Sequence, residues 1–223
     1  MRMGFKNAPN SAEYWNAEAK NFDSIYHEDG TVRGWLNKLL RSDMEGRFIF
    51  ALKAANLNTH PHILEIGSGT GVHSKGFLEG GAASVTGVDF SPEMLKIAAA
   101  RLKNFKDRLK LLEGDFMETE FERVFDVVTA IGVFDYIEDS LSFMKKAMSL
   151  TSGCFIAAFP RSGTLRARLR SIRLAFKRCP VYFYSEEQLR HMAEECGARI
   201  AKHEIIGQLH CVVLVGDIAA RSG

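Results

Sequence analysis

Short apolar runs bounded by glycine, proline and charge alternate along this chain with longer stretches whose apolar positions recur every three or four residues. The short runs predict strands near 61–66, 84–89, 108–113, 124–131, 153–159, 198–206 and 209–216. Between them the helical spacing predicts helices at about 71–80, 92–104, 138–150 and 185–196. Strands alternating with helices in this way imply an α/β fold, a mostly parallel sheet with helices on both faces. The last two strands are joined through Ile205-Ile206-Gly207-Gln208-Leu209, which leaves no room for a crossover helix, so they must pair as an antiparallel hairpin. Upstream of the first strand, Trp15, Phe22 and Tyr26 are spaced by seven and four and share one helical face, and a further helical stretch runs from Trp35 to Lys53. These first residues are expected to form a helical lid.

The most informative transition is Ile63-Leu64-Glu65-Ile66-Gly67-Ser68-Gly69-Thr70-Gly71-Val72-His73, a buried strand that enters three alternating glycines and then a helix. Glycine lets a ligand touch the main chain, and the helix start presents free N–H groups. A dinucleotide fingerprint would place its third glycine at position 72, which is Val72. A phosphate loop would need Gly-Lys-Ser/Thr after the glycines, and none follows. The cradle therefore suits a ligand without phosphates.

Two later strand ends agree with it. Val85-Thr86-Gly87-Val88-Asp89 ends in a carboxylate placed to accept two ribose hydroxyls, because Ser91 and Pro92 form the better cap for the next helix and leave Asp89 free. Leu109-Lys110-Leu111-Leu112-Glu113-Gly114-Asp115-Phe116 ends in acid plus aromatic, with Asp115 able to accept from an adenine amine and Phe116 to pack on the ring face.

Taken in order, Glu65 to Gly71, Gly87-Val88-Asp89-Phe90-Ser91-Pro92-Glu93-Met94, Gly114-Asp115-Phe116 and Phe125 to Phe134 resemble the class I S-adenosylmethionine-dependent methyltransferases, strongly over roughly residues 60–160. The resemblance implies a Rossmann-like, seven-stranded, mostly parallel sheet with a terminal antiparallel hairpin and an N-terminal helical lid. It implies S-adenosylmethionine as cofactor and S-adenosylhomocysteine as product. By the same resemblance the cofactor-binding candidates are Glu65, Gly67, Ser68, Gly69, Asp89, Phe90, Met94, Asp115, Phe116, Ala130 and Ile131. Gly67 and Gly69 would line the methionine moiety, Asp89 the ribose, Asp115 and Phe116 the adenine, and Ala130-Ile131 the methionyl side.

Composition fits one such domain over residues 1–223: a lid at 1–58, a cofactor-binding core at 59–160, a basic insertion at 161–184 and a C-terminal helix and hairpin at 185–223. The 223 residues are 46% hydrophobic and 25% charged, and 29 basic against 27 acidic residues give no whole-chain signal for nucleic acid. Cysteines at 154, 179, 196 and 211 form no C-x-x-C pair, and no Cys/His cluster has metal-ligand spacing, so no metal is expected. A reduced, cytoplasmic setting is expected. No apolar run reaches the roughly 18 residues of a bilayer span, and a soluble protein is expected. The oligomeric state has no signature here.

The segment 161–178 carries seven basic residues and no acid, with Leu165, Leu169, Ile172 and Phe176 at helical spacing. Three readings stand side by side: a solvated helix, recognition of an acidic small molecule by arginine, and contact with RNA or an anionic membrane surface, with RNA the weaker. Candidate substrate residues are Tyr26, Phe134, Tyr136, Arg161, Arg166 and Tyr184. No catalytic residue is assigned. Were the acceptor a hydroxyl, His73, His27, Asp135 and Tyr136 lie near the expected pocket as bases. At the position of Asn-Pro-Pro-Tyr-type motifs the chain reads Ala130-Ile131-Gly132-Val133, which disfavours methylation of base amino groups. Oxygen on a small molecule is the favoured acceptor. The alternatives are a non-catalytic adenosylmethionine-binding protein and an RNA methyltransferase.

Overall fold

A computed structural model describes residues 34–163 and 181–217. Within them α1 (Gly34–Ala54) precedes β1 (His62–Ile66), α2 (Val72–Glu79), β2 (Ser84–Asp89), α3 (Pro92–Arg101), β3 (Leu109–Glu113) and β4 (Phe125–Ile131). There follow α4 (Ser140–Ser149), β5 (Thr151–Pro160), α5 (Glu186–Glu195), β6 (Ala198–Ile206) and β7 (Leu209–Gly216). The expected lid over residues 1–33, with Tyr26 and His27, and most of the basic segment, including Arg166, lie outside the described residues.

The seven strands form one sheet in the order β3-β2-β1-β4-β5-β7-β6. β1 to β5 pair in parallel, while β7 is antiparallel to both β5 and β6. The two-residue turn between β6 and β7 is possible because Gly207 takes φ +55°. β1 lies between β2 and β4, so the chain leaves it in opposite directions on its two sides. That switch point opens a crevice at the carboxyl ends of β1 and β4, where ligands of such sheets bind.

Each face of the sheet has its own core. On one side Phe50 and Ala51 of α1, Phe77 and Leu78 of α2 and Leu102 pack against Ile63, Val85, Val127 and Ile156. On the other, Phe143 and Met144 of α4 and Leu189 and Met192 of α5 cover Leu64, Val128, Phe155 and Phe159. β4 and the second half of β5 are buried on both sides, which explains their continuous apolar runs. The sequence-predicted boundaries hold within a few residues. α3 stops at Arg101, and Lys103–Phe105 continue as a 3₁₀ turn, where a single helix to 104 was expected. β5 begins at Thr151, ahead of the expected 153.

Helix α1 approaches α2 closely. A Cβ on Gly76 would stand 2.5 Å from the Phe48 ring, so that glycine creates the groove in which Phe48 sits. The approach brings Arg47 to the switch point.

Candidate functional site

Gly67 must be glycine twice over: its φ is +70°, and a Cβ there would lie 2.6 Å from Val133 Cγ2. The loop it opens is tied over the end of β2 by Gly67 N–H and Ser68 N–H, which donate to the Val88 carbonyl at 2.8 and 3.2 Å. Gly71 N–H donates to the Ser68 carbonyl at 2.9 Å, and the Arg101 guanidinium donates to the Thr70 carbonyl. A side chain at Gly69 would meet nothing within 4 Å, so the loop has an open side.

Asp89 is the hub of this arrangement. One carboxylate oxygen accepts Gly69 N–H at 2.8 Å and the other Ser91 N–H at 2.9 Å, while Ser91 Oγ caps α3 through Met94 N–H at 3.3 Å. Asp89 is thus less free than its strand-end position suggests. Each oxygen keeps a lone pair for a further donor. Burial raises its pKa, opposed by the N–H groups of Ser91, Gly69 and Phe90.

Beneath the loop, Glu65 is 3% exposed and accepts the Ser74 hydroxyl. Burial pushes its pKa up to about 8, with the neighbouring Asp89 charge adding to the effect. His73 Nδ1 stands 3.7 Å from Glu65, and its ring meets Phe48 edge-on at 5.4 Å. Burial, then the Arg47 charge, pushes the imidazole down to about 3. Arg47 Nη1 lies 3.2 Å from where a Cβ on Gly132 would be, so the guanidinium rests against the end of β4. Sequence reasoning missed Arg47, because nothing local distinguishes it from other arginines on a helix.

Among the described residues, several polar atoms here are buried without a partner: Arg47 Nε, Ser68 Oγ, Thr70 Oγ1, His73 Nε2 and Thr129 Oγ1. Thr129 is in register with Glu65 on the neighbouring strand. Buried polar atoms are costly when unsatisfied. A polar ligand lying in the crevice would supply what they lack, and the amino and carboxylate groups of a methionyl moiety have the right chemistry. The residues present fit an adenosyl amino acid.

The third strand end differs from expectation. Phe116 is 5% exposed, and its ring packs on Phe143 at 4.8 Å, so it belongs to the core and offers no free face. The exposed aromatic at the strand ends is Phe90, 40% exposed. Asp115 accepts Met117 N–H at 2.9 Å, and Lys146 Nζ holds the same turn through the Met117 and Thr119 carbonyls at 2.9 and 2.7 Å. The side chains of Met94 and Ala130 are likewise buried, and Ala130 offers only its backbone. Ile131 is half-buried.

Two substrate candidates also turn inward. The Phe134 ring is fully buried, 4.0 Å from Phe159 and 5.2 Å from Phe143 between centroids. Tyr184 is buried beside it, and its hydroxyl donates to the Phe134 carbonyl at 3.1 Å. Both rings serve packing, meeting edge-on at 6.2 Å. Tyr136 is half-buried, donating N–H to the Val133 carbonyl at 3.0 Å, and Arg161 forms a parallel bridge with Tyr184. Among the described residues, no group of three or more His, Cys, Asp or Glu could hold a metal, and no helix is long and apolar enough to cross a membrane.

The fold and crevice define a Rossmann-like domain of the class that holds an adenosyl ligand at its switch point. Residues 63–152 match the family described as "Methyltransferase domain". The chain is 30% identical over 171 residues to the mitochondrial ubiquinone biosynthesis O-methyltransferase of Schizosaccharomyces pombe, covering 74% of this chain and 60% of that one. It is 33% identical over 130 residues to the demethylmenaquinone methyltransferase of Chlorobaculum tepidum, covering 55% and 52%. It thus spans less than two thirds of these relatives. In structure it is similar to the magnesium protoporphyrin IX methyltransferase of Synechocystis PCC 6803 with bound SAH, at TM-score 0.75 and 19% identity over 92% of this chain and 98% of that one. Residues 63–152 thus match a methyltransferase domain, carried on the Rossmann-like fold of its structural neighbours.

Proposed function

We propose that this protein transfers the methyl group of S-adenosylmethionine to an oxygen atom of a small molecule. The observation that carries the reading is the crevice itself: an open glycine cradle, a carboxylate fixed beside it, and buried polar atoms that lack partners. In this reading Asp89 accepts the ribose hydroxyls with its remaining lone pairs, and Asp115 accepts from the adenine amine. Phe90 covers the ring, the role sequence assigned to Phe116. Arg47 pairs with the methionyl carboxylate, while Glu65, Ser68 and the backbone from Gly67 to Gly69 and at Ala130-Ile131 surround the methionyl end. Met94 and Phe116 support the pocket from the core.

S-adenosylmethionine supplies an electrophilic methyl group on a sulfonium. The protein's task is then to hold the acceptor oxygen in line at about 3–3.5 Å and to exclude water. A hydroxyl acceptor must also lose a proton. His73 is a poor base, since Glu65 and Phe48 enclose it and its burial favours the neutral ring. Asp135 and Tyr136, on the loop after β4, are the better placed groups, and the Asp135 carboxylate would take the proton. An acceptor already carrying a carboxylate needs no base, and the basic run at 161–178, with Arg161 and Arg166, favours such an acidic molecule.

A single domain over 1–223 and a cytoplasmic setting complete the reading. Incubation with methyl-labelled S-adenosylmethionine and a panel of phenols, hydroxybenzoates, quinols and carboxylated tetrapyrroles tests it. Label on oxygen of one class supports the proposal. Label on none, with S-adenosylhomocysteine still bound, replaces it with a non-catalytic binding role, and label on RNA replaces the acceptor class.

A further inference from the structure

The connection from β3 to β4 must cross from the edge of the sheet past β2 and β1, yet residues 114–124 run through turns with no helix among them. Parallel strands are usually joined through a crossover helix, whose own hydrogen bonds stiffen the path. Here the support must come from elsewhere. The stretch presents Asp115, and Asp115, Glu118, Glu120 and Glu122 all precede its first basic residue, Arg123. Their mutual repulsion opposes a compact turn.

Main chain closes the first part of it. The Asp115 carboxylate accepts Met117 N–H at 2.9 Å, and the Asp115 carbonyl accepts Glu118 N–H at 3.0 Å, Thr119 N–H at 2.9 Å and the Thr119 hydroxyl at 2.7 Å. The Met117 and Thr119 carbonyls find their donor on a different element. Lys146 Nζ, on α4, donates to both, at 2.9 and 2.7 Å, and stands 5.1 Å from the centroid of the Phe116 ring and 5.9 Å from that of Phe121. An ammonium has three N–H donors, so two carbonyls leave one for the ring faces. The rings are themselves anchored, Phe116 on Phe143 at 4.8 Å and Phe121 on Phe125 at 6.1 Å. The root of Lys146 is equally firm, because Phe143, Met144 and Ala147 seat α4 in the same core. Burial pulls the Lys146 pKa down, while Asp115, Glu118 and Glu120 favour the charged ammonium.

We propose that Lys146 is a positioning residue for the purine end of the crevice: by bridging the Met117 and Thr119 carbonyls it holds the turn on which Asp115 reads the exocyclic amine of adenine. This rests on the proposed function, which puts that amine on Asp115. The glycine loop and Asp89 are tied by their own hydrogen bonds, so they grip the rest of the ligand without Lys146. The bridge therefore sets selectivity for the base. A 6-oxo purine turns an acceptor toward the carboxylate where adenine turns a donor, and the two oxygens repel.

Calorimetry of the full chain with S-adenosylhomocysteine and with S-inosylhomocysteine, which has a 6-oxo group in place of the amine, tests this. The wild type should favour the adenosyl ligand by about tenfold or more, the scale of a hydrogen bond to a charged group. In Lys146→Met, whose unbranched chain still covers the two rings, adenosyl affinity should fall, inosyl affinity should stay, and the preference should disappear. Lys146→Arg, able to donate to both carbonyls, should restore it. Amide hydrogen exchange reads the bridge itself: Met117 and Thr119 protection should fall about tenfold in Lys146→Met, with Leu64 and Val128 unchanged. If that variant loses Leu64 protection, Lys146→Gln is read in the same way. Unchanged Met117 and Thr119 protection, or a preference that survives in the folded variant, overturns the role of Lys146. Equal loss of both ligands overturns it as well, and leaves Lys146 a support for the fold. A wild type that binds the two ligands alike fails at an earlier point, removing the adenine amine from Asp115 and the proposal with it.

Discussion

The half of the sheet built from β1, β2 and β3 and the half built from β5, β6 and β7 hold their functional loops by different means. In the first, main chain does the work: glycine N–H groups, a carbonyl at the end of β2 and the carboxylate of Asp89 lock one another within a short stretch of sequence. In the second, a side chain reaches across a long separation, as Tyr184 does to Phe134. A loop fixed by its backbone presents the same donors whatever surrounds it, which suits a constant cofactor. A loop fixed by side chains from several elements can be retuned by single substitutions, which suits a variable acceptor.

The largest effect that would break this comparison is Gly67→Ala. Positive φ and the contact with Val133 together should cost about 2–4 kcal/mol, read as a lower denaturant midpoint, and should weaken S-adenosylhomocysteine binding as well. An unchanged midpoint would show that the loop is not held as described. Next comes pH. Glu65 titrates near 8 in the folded chain against an ordinary 4.5, so the folded state keeps a proton the unfolded chain has released; its contribution to stability is whole below 4.5 and is lost as pH rises toward 8. His73 has the opposite sign. Its folded value near 3 lies below the ordinary 6.5, so its contribution is whole above 6.5 and is lost as pH falls toward 3. Thermal melts from pH 4 to 9 should lose the alkaline decline in Glu65→Gln and the acid decline in His73→Asn, each on the order of a few kcal/mol.

Smaller, and sharper for the ligand, is Arg47→Leu. Loss of a charged hydrogen bond should lower S-adenosylhomocysteine affinity by about 10–100-fold in calorimetry. Binding of 5′-methylthioadenosine, which has no carboxylate, should not change. Equal loss for both would place Arg47 in folding alone. The smallest effect is Tyr184→Phe, which removes one buried hydrogen bond worth about 1 kcal/mol. Its signature is a raised acceptor KM with unaltered cofactor affinity, the reverse of Arg47→Leu.

The first half was legible in the sequence because its determinants are local. Gly67, Gly69, Gly71 and Asp89 stand at strand ends that hydrophobic runs reveal, and the mostly parallel sheet with its antiparallel hairpin follows from strand and helix alternation plus one short turn. Errors arose where a side chain had two possible destinations. Phe116 and Phe134 look available beside acidic residues, yet an aromatic core with Phe143 claims both rings. Asp89 was expected to be free because Ser91 caps α3, and Ser91 does so, but its backbone N–H still uses the carboxylate. Arg47 could not be read because its meaning depends on which helix or strand packs beside it. Gly76 permits that approach without naming the residues that meet there.

The central claim is that the crevice between β1, β2 and β4 receives an adenosyl amino acid. A crystal structure of the full chain grown with S-adenosylhomocysteine tests it most directly. The account predicts the ribose hydroxyls on Asp89, the ring beside Phe90 and the carboxylate on Arg47. An empty crevice under saturating ligand, or the ligand bound elsewhere on the chain, would contradict it.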